Sequence, residues 1–417
     1  MKVLVLSQYY WPESFRINEV VESLQHAGCH ITVLTGQPNY PQGNVFDGYH
    51  AGGIQVQHHE LGYNIYRVPL VPRGRGSAIG LASNYLSFVL SACVLGPWLL
   101  RRQHFDVVFV YAPSPIIQAV PAVWLAFLKR AKLVTWVQDL WPDSLEVTGF
   151  VRNQRALEMV ALSVRWIYRR CDLLLVSSEA FLATVNAMAG KTPVQYHPNP
   201  GELAFDQPAM QSPPSLVLAP GFNVVFAGNL GTVQALGTVL DAAELLKPHA
   251  DVRIVLIGSG SRSDWVQQEV LRRQLRNVQL PGRFAPAAMP GILAQASTLL
   301  VSLVRSPTMS QTVPSKIQAY LAAGKPVIAS LDGEGARVIA LSGAGIACPA
   351  EDAASLANAV LRLRSLPDSD LQRMGRAGRT YYNQHFDPTV LAEKLMQHFT
   401  TVLGGPKSKD KKSQVEG

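Results

Sequence analysis

Cysteine is scarce: four in 417 residues, Cys29, Cys93, Cys171 and Cys348, each isolated along the chain. Without a Cys-x-x-Cys pair, neither a disulfide framework nor a cysteine-based zinc site is expected, and the four read as small buried apolar residues of a reducing cytoplasm. Charge is also sparse, at 16% of residues against 48% hydrophobic. Such a composition excludes a disordered or collagen-like chain and suits packed cores. Of the ten histidines only His58 and His59 are neighbours, and on a strand they would point to opposite faces. The single Asp-x-Asp, Asp368 to Asp370, follows no strand and reads as a turn and helix cap. No metal is expected.

No leader segment is expected from the opening residues. The opening Met-Lys-Val-Leu-Val-Leu meets Tyr9-Tyr10-Trp11-Pro12 after a four-residue apolar run, so it reads as a buried first strand. Negative charge is in deficit, leaving a net charge of +8. Part of the surplus sits in residues 404–417, expected to be a disordered basic tail. A second concentration, Arg152, Arg155, Arg165, Arg169 and Arg170, faces Glu158 alone. It suits either a solvated helix face or anionic lipid headgroups. Nucleic acid is not expected, because no stacking aromatics are interleaved with these cations.

What is present is alternation. Short apolar runs at Lys2–Ser7, Ile31–Thr35, Val107–Tyr111, Lys132–Val137 and Asp172–Ser177 are spaced by helical patterns such as Asn18–Ala27. A second series follows at Asn223–Ala227, Arg253–Gly258, Ser297–Leu303, Pro326–Ser330 and Gly345–Cys348. This is the rhythm of parallel βαβ units covered on both faces. The rhythm breaks between Pro198 and Pro220, where prolines cluster. The expectation is an α/β protein of two Rossmann-like doubly wound domains, 1–203 and 221–385, with the helix 388–403 packing back on the first. Ala78–Leu100 holds no charge over 23 residues. Its length allows a bilayer span, while serines at 83, 87 and 91 suit a buried helix or one lying in a membrane surface.

Three turns carry chemistry. Phe226-Ala-Gly-Asn-Leu-Gly and Leu256-Ile-Gly-Ser-Gly each follow a strand, and Gly228 and Gly258 would let backbone amides approach a phosphate. Val313-Pro-Ser-Lys opens a helix whose free amides, at Ser315 and Lys316, suit a diphosphate together with the lysine charge. The ordered set, continued by Asn277-Val-Gln-Leu-Pro-Gly, Ala322-Ala-Gly-Lys-Pro-Val-Ile and Asp332-Gly-Glu-Gly, resembles the donor domain of family-four retaining glycosyltransferases of GT-B fold. Gln8-Tyr-Tyr-Trp-Pro-Glu, Pro38-Asn-Tyr-Pro-Gln-Gly and Gln138-Asp-Leu-Trp-Pro-Asp resemble a bacterial surface-polysaccharide subset of N-acetyl-L-fucosamine type.

The resemblance implies two domains facing across a cleft and a UDP- or GDP-sugar donor as substrate, with no cofactor and no metal. It further implies a polyprenyl-diphosphate-linked saccharide acceptor and a cytoplasmic, peripheral position at the inner face of the plasma membrane. Gly228, Asn229, Gln234, Gly258, Ser315 and Lys316 fall on the donor-binding positions. Gln311 and Glu334 fall at the donor sugar. Tyr9, Trp11 and Gln138 lie on the acceptor side, and Asp139 is a candidate to orient the acceptor hydroxyl or help with its proton. The chain departs from the family pattern where an arginine and a lysine usually meet the diphosphate: Asn229 and Gln234 stand there. The usual pair of glutamates falls on Gln311 and Ala319, and Gln138 replaces an acceptor-side histidine. An enzyme using Lys316 and Arg305, a GT-B sugar-nucleotide epimerase and a catalytically degenerate assembly subunit all remain open on these residues.

Overall fold

The computed structural model describes residues 1–74, 77–147, 153–201 and 216–405; the expected basic tail beyond 405, Arg152 and most of the Pro198–Pro220 linker lie outside them. The chain forms two compact units, Met1–Pro198 with the segment from Pro388, and Asn199–Asp387.

In the first unit eight strands form one sheet: β1 Lys2–Leu6, β2 His30–Gly36, β3 Gln55–His58, β4 Asn64–Val68, β5 Val107–Ala112, β6 Lys132–Val137, β7 Leu173–Val176 and β8 Val194–Tyr196. Their order is β3-β4-β2-β1-β5-β6-β7-β8, parallel except for the edge pair β3–β4. The central strands are apolar end to end because both faces are covered; β5 is buried at all six positions. β3 and β4 fall outside the sequence expectation because their polar alternation, Gln55-Val-Gln-His, is that of a half-exposed edge. The Pro388–Val402 helix places Leu395 and Phe399 in this unit's core, beside Phe109 and Trp136.

The Ala78–Leu99 helix is long and apolar enough to cross a membrane by length and composition, yet one face is sewn into the sheet. Asn84, Phe88, Ala92 and Gly96 recur every four residues and are buried. Asn84 accepts from the Gln8 amide at 2.8 Å and donates to the Val71 carbonyl at 2.7 Å.

The second unit has six parallel strands: β9 Phe222–Ala227, β10 Val252–Ile257, β11 Val278–Gly282, β12 Thr298–Ser302, β13 Val327–Ser330 and β14 Gly345–Cys348, in the order β11-β10-β9-β12-β13-β14. Residues 199–201 pack here rather than in the first unit, where the sequence expectation put them. The Gly201 amide donates to the Phe386 carbonyl at 2.8 Å, and a Cβ at Gly201 would stand 2.3 Å from the Tyr382 ring.

Candidate functional site

In the second unit β9 and β10 are parallel neighbours, so the glycine turns that follow them lie side by side. Gly228 (φ +137°) and Gly258 (φ +132°) adopt backbone conformations that side chains rarely enter. A Cβ at Gly258 would fall 1.9 Å from the Gly228 carbonyl oxygen, and one at Gly228 would fall 2.6 Å from Lys316 Cε. Both amides are already committed: Gly228 donates to Ile257 and Gly258 to Gly282, at 2.9 and 2.8 Å. The two glycines therefore supply space, not the phosphate-facing donors expected of them.

Amides without an internal partner stand instead at the start of the Ser315–Ala322 helix. No side chain caps its start, and the amides of Ser315 and Lys316 precede its first internal bond, from Ile317 to Pro314. Tyr320 fixes that helix to the glycine turn. Its hydroxyl accepts from the Ala227 amide at 2.8 Å and donates to the Ala227 carbonyl at 3.2 Å. Lys316 turns its ammonium 4.0 Å from the Phe226 ring centroid and donates to Gln234 Oε1. No carboxylate pairs with it among the described residues, and burial pushes it down to about 7. A half-buried cation among neutral groups is poised for an anionic ligand.

These parts line a cavity of about 800 Å³. Its lining combines polar residues, Asn229, Gln234, Ser259, Arg283 and Lys316, with apolar ones, Phe284, Pro286, Met289 and Leu293. Ala319 lines it too, so the position expected to carry a ribose-binding glutamate presents only a methyl group. Arg283 and Tyr320 were not expected from sequence. Arg283 follows the glycine that ends β11, and that basic residue after Leu-Pro-Gly was the available signal.

Other predicted residues lie apart from this cavity. Gln311 closes the short Pro307–Ser310 helix and is not among the lining residues. Glu334 opens the Glu334–Ser342 helix, is buried, and accepts from Arg337 at 2.9 and 2.5 Å. Their preceding residues pack closely: a Cβ at Gly333 would meet the Ser310 carbonyl at 2.0 Å. Arg305, read from sequence as a further cation for phosphate, instead reaches Asp332 at 3.3 Å and the Ala350 carbonyl at 2.8 Å. Asp368 and Asp370 form the first turn of a helix, and no group of three or more potential metal ligands exists among the described residues.

In the first unit, Gln138 and Asp139 follow β6, and Tyr9 and Trp11 follow β1, so all four stand at the carboxyl edge of the parallel sheet. Asp139 accepts from the Ser144 hydroxyl, and burial raises its carboxyl above the ordinary range. Tyr9 is buried, stacks on Phe15 with ring centroids 5.1 Å apart, and donates to Asn84 at 3.2 Å. Trp11 is exposed, its ring perpendicular to that of His59 with centroids 5.4 Å apart.

Glu13, which ends the Gln8-Tyr-Tyr-Trp-Pro-Glu motif, ties it to Pro38-Asn-Tyr-Pro. Its buried carboxylate accepts from the amides of Tyr10, Asn39 and Tyr40 at 3.1, 2.8 and 2.7 Å, and burial raises it to about 7. Arg67, fully buried, donates to the Trp11 and Gly36 carbonyls around it.

Two doubly wound parallel sheets, the second with a cavity at its strand ends lined by Lys316 and Arg283, define a GT-B glycosyltransferase architecture. A family model described as "Glycosyl transferase 4-like domain" matches residues 14–200, and one described as "Glycosyl transferases group 1" matches 221–365. Together they cover most of the chain, which belongs to the group 1, family-four glycosyltransferases. A relative, the Escherichia coli (strain K12) protein named "Putative colanic acid biosynthesis glycosyl transferase WcaI", is 24% identical over 347 residues, 78% of this chain and 82% of that one. Among solved structures, Anabaena Alr3699/HepE in complex with UDP shares the fold with a TM-score of 0.68 at 14% identity, covering 96% of this chain and 100% of its own. Sucrose-phosphate synthase from Thermosynechococcus elongatus matches with a TM-score of 0.68 at 15% identity, covering 97% and 99%.

Proposed function

We propose that the protein transfers a sugar, with retention at the anomeric carbon, from a UDP- or GDP-sugar to a polyprenyl-diphosphate-linked saccharide during bacterial surface-polysaccharide synthesis. The observation that carries the donor reading is Lys316, a half-buried ammonium without a carboxylate partner among the described residues, at an uncapped helix start. A diphosphate seated there accepts from the Ser315 and Lys316 amides and from the ammonium. Arg283 supplies a second cation in the lining of the cavity. The apolar lining residues Phe284, Pro286 and Met289 offer a surface for a nucleobase. The related HepE, solved with UDP, and WcaI, named for colanic acid synthesis, support a nucleotide-sugar donor and a polysaccharide product.

Chemically, the nucleoside diphosphate is the leaving group, and its negative charge grows as the glycosidic bond lengthens. Lys316 and the helix amides stabilise that growth in a partly dry cavity. The departing phosphate oxygen takes the proton of the incoming hydroxyl on the same face, which gives retention without a protein nucleophile. Asp139, its carboxyl raised by burial, orients the acceptor hydroxyl. A lipid-linked acceptor places the protein peripherally at the cytoplasmic face of the plasma membrane.

The test is calorimetric titration of the full chain with UDP, GDP and their sugars, repeated on Lys316→Ala. Binding of one nucleotide, lost in the variant while the fold persists by circular dichroism, is the expected result. Equal binding by both proteins removes the donor assignment, and no binding by the parent favours a degenerate assembly subunit.

A further inference from the structure

We propose that the outer faces of three helices in the first unit form a docking surface for an anionic lipid bilayer. The inference deepens the membrane-surface part of the proposed function and rests on it. The helices Ala78–Leu99, Val120–Lys129 and Gln154–Tyr168 cover one side of the first sheet, where Phe88, Leu125 and Val164 share a core. Small residues draw them in: a Cβ at Gly96 would sit 3.3 Å from Leu34 and 3.4 Å from Leu125.

The opposite stripe of the first helix, Leu86, Leu90, Val94 and Trp98, has the same four-residue period but faces outward, Val94 being 72% exposed. Phe127 and Met159 carry the exposure across the other two helices, at 75% and 70%. A contiguous face of this kind marks an interaction surface. Between the helices runs a groove of about 1220 Å³, lined by Cys93, Trp124, Phe127 and Trp166, with Arg130 and Arg170 on its wall.

Charge decides the occupant. The Arg101 guanidinium lies 5.0 Å over the Trp98 ring, and that of Arg170 lies 4.1 Å over Trp166. Indole below guanidinium is the order that the boundary between acyl chains and anionic headgroups accommodates. Arg102 and Arg165 add further cations; of the nearby acids, Asp172 is paired with Lys132 at 2.8 Å. A second copy placed by two-fold symmetry would set this cationic rim against itself. A membrane span is not the geometry, because the buried Asn84 stripe holds the helix on the sheet.

The test uses the full chain with vesicles of phosphatidylglycerol and phosphatidylethanolamine, against phosphatidylcholine alone, without donor or acceptor. Co-sedimentation with the anionic vesicles is expected, with the Trp98 and Trp166 fluorescence quenched by brominated lipid. The double variant Leu90→Glu, Val94→Glu loses at least tenfold in partition, and Arg170→Gln about fivefold. These positions are exposed, and melting curves confirm that the variants fold. Absence of vesicle binding, undiminished binding by the double variant, or a dimer in sedimentation velocity that the same variant dissociates would each overturn the proposal. Nucleotide titration is unaffected in every case, so failure here is distinguishable from failure of the donor reading.

Discussion

Replacing Lys316 by methionine is expected to abolish tight donor binding while making the protein more stable. The ammonium and one unit of phosphate charge about 4 Å apart attract by about 4 kcal/mol at an effective dielectric of about 20. Truncating such a buried charge contact costs roughly 2–4 kcal/mol, or about 30- to 1000-fold in Kd. The stability sign is the reverse. Unfolded lysine holds its proton up to pH about 10.5, whereas Lys316 in the fold holds it only to about 7. Between those values the unfolded state binds the extra proton, so the lysine's penalty grows as pH falls and is complete below 7. At pH 7.5 methionine removes up to about 4 kcal/mol of it. Donor binding pulls the ammonium back to the charged form, so the complex takes up close to one proton at pH 8, and affinity drops about fivefold from pH 7 to 8. Calorimetry with a nucleotide-sugar in two buffers of unlike ionisation enthalpy reads both the affinity and the proton count. A methionine variant that binds within twofold of the parent, or a complex that takes up no proton at pH 8, refutes the reasoning.

Arg283→Ala should weaken nucleotide binding about tenfold without moving the melting temperature, since the side chain is exposed; titration of the variant checks it. Asp139→Asn should lower kcat about a hundredfold while the donor Kd is unchanged, because Asp139 belongs to the first unit; a transfer assay paired with calorimetry separates the two. Glu13→Ala leaves three backbone amides without their acceptor and should cost about 3 kcal/mol or more in urea unfolding; an unchanged midpoint would contradict the burial argument. Gly258→Ala forces a Cβ into the Gly228 carbonyl at positive φ and should leave the second unit destabilised, read by thermal melting.

The parallel sheets were legible because strands buried on both faces show as unbroken apolar runs, and β5, β6 and β9 fall where such runs stand. The edge pair β3–β4 was not, since one exposed face dilutes the pattern. At the site, Lys316 was legible from its place after Pro314 and Ser315. The role of Gly228 was misread, because sequence distinguishes poorly between a glycine that frees an amide and one that makes room for a neighbouring side chain. Arg305 and Glu334 were both available as charges near the right turns, but each is committed to a local partner, Asp332 and Arg337. Pairing of that kind depends on side-chain direction, which spacing does not carry.

Four positions where the family resemblance leads one to expect charge are neutral here: Asn229, Gln234, Gln311 and Ala319. Two cations and two anions are missing together, so the second unit's charge is unaltered by their joint loss. Their removal also changes what holds Lys316. A lysine at 234 would repel it, whereas Gln234 offers its carbonyl oxygen as a neutral acceptor. A glutamate at 319, on the wall of the same cavity, would compete with a phosphate for the ammonium; alanine does not. In the proposed donor site, phosphate recognition would therefore rest on one half-buried lysine, one exposed arginine and a helix start. Gln234→Lys alone should therefore weaken donor binding by pushing Lys316 further toward its neutral form, although it restores the residue that the family resemblance leads one to expect. Tighter binding by that variant would show that position 234 reaches the phosphate independently of Lys316.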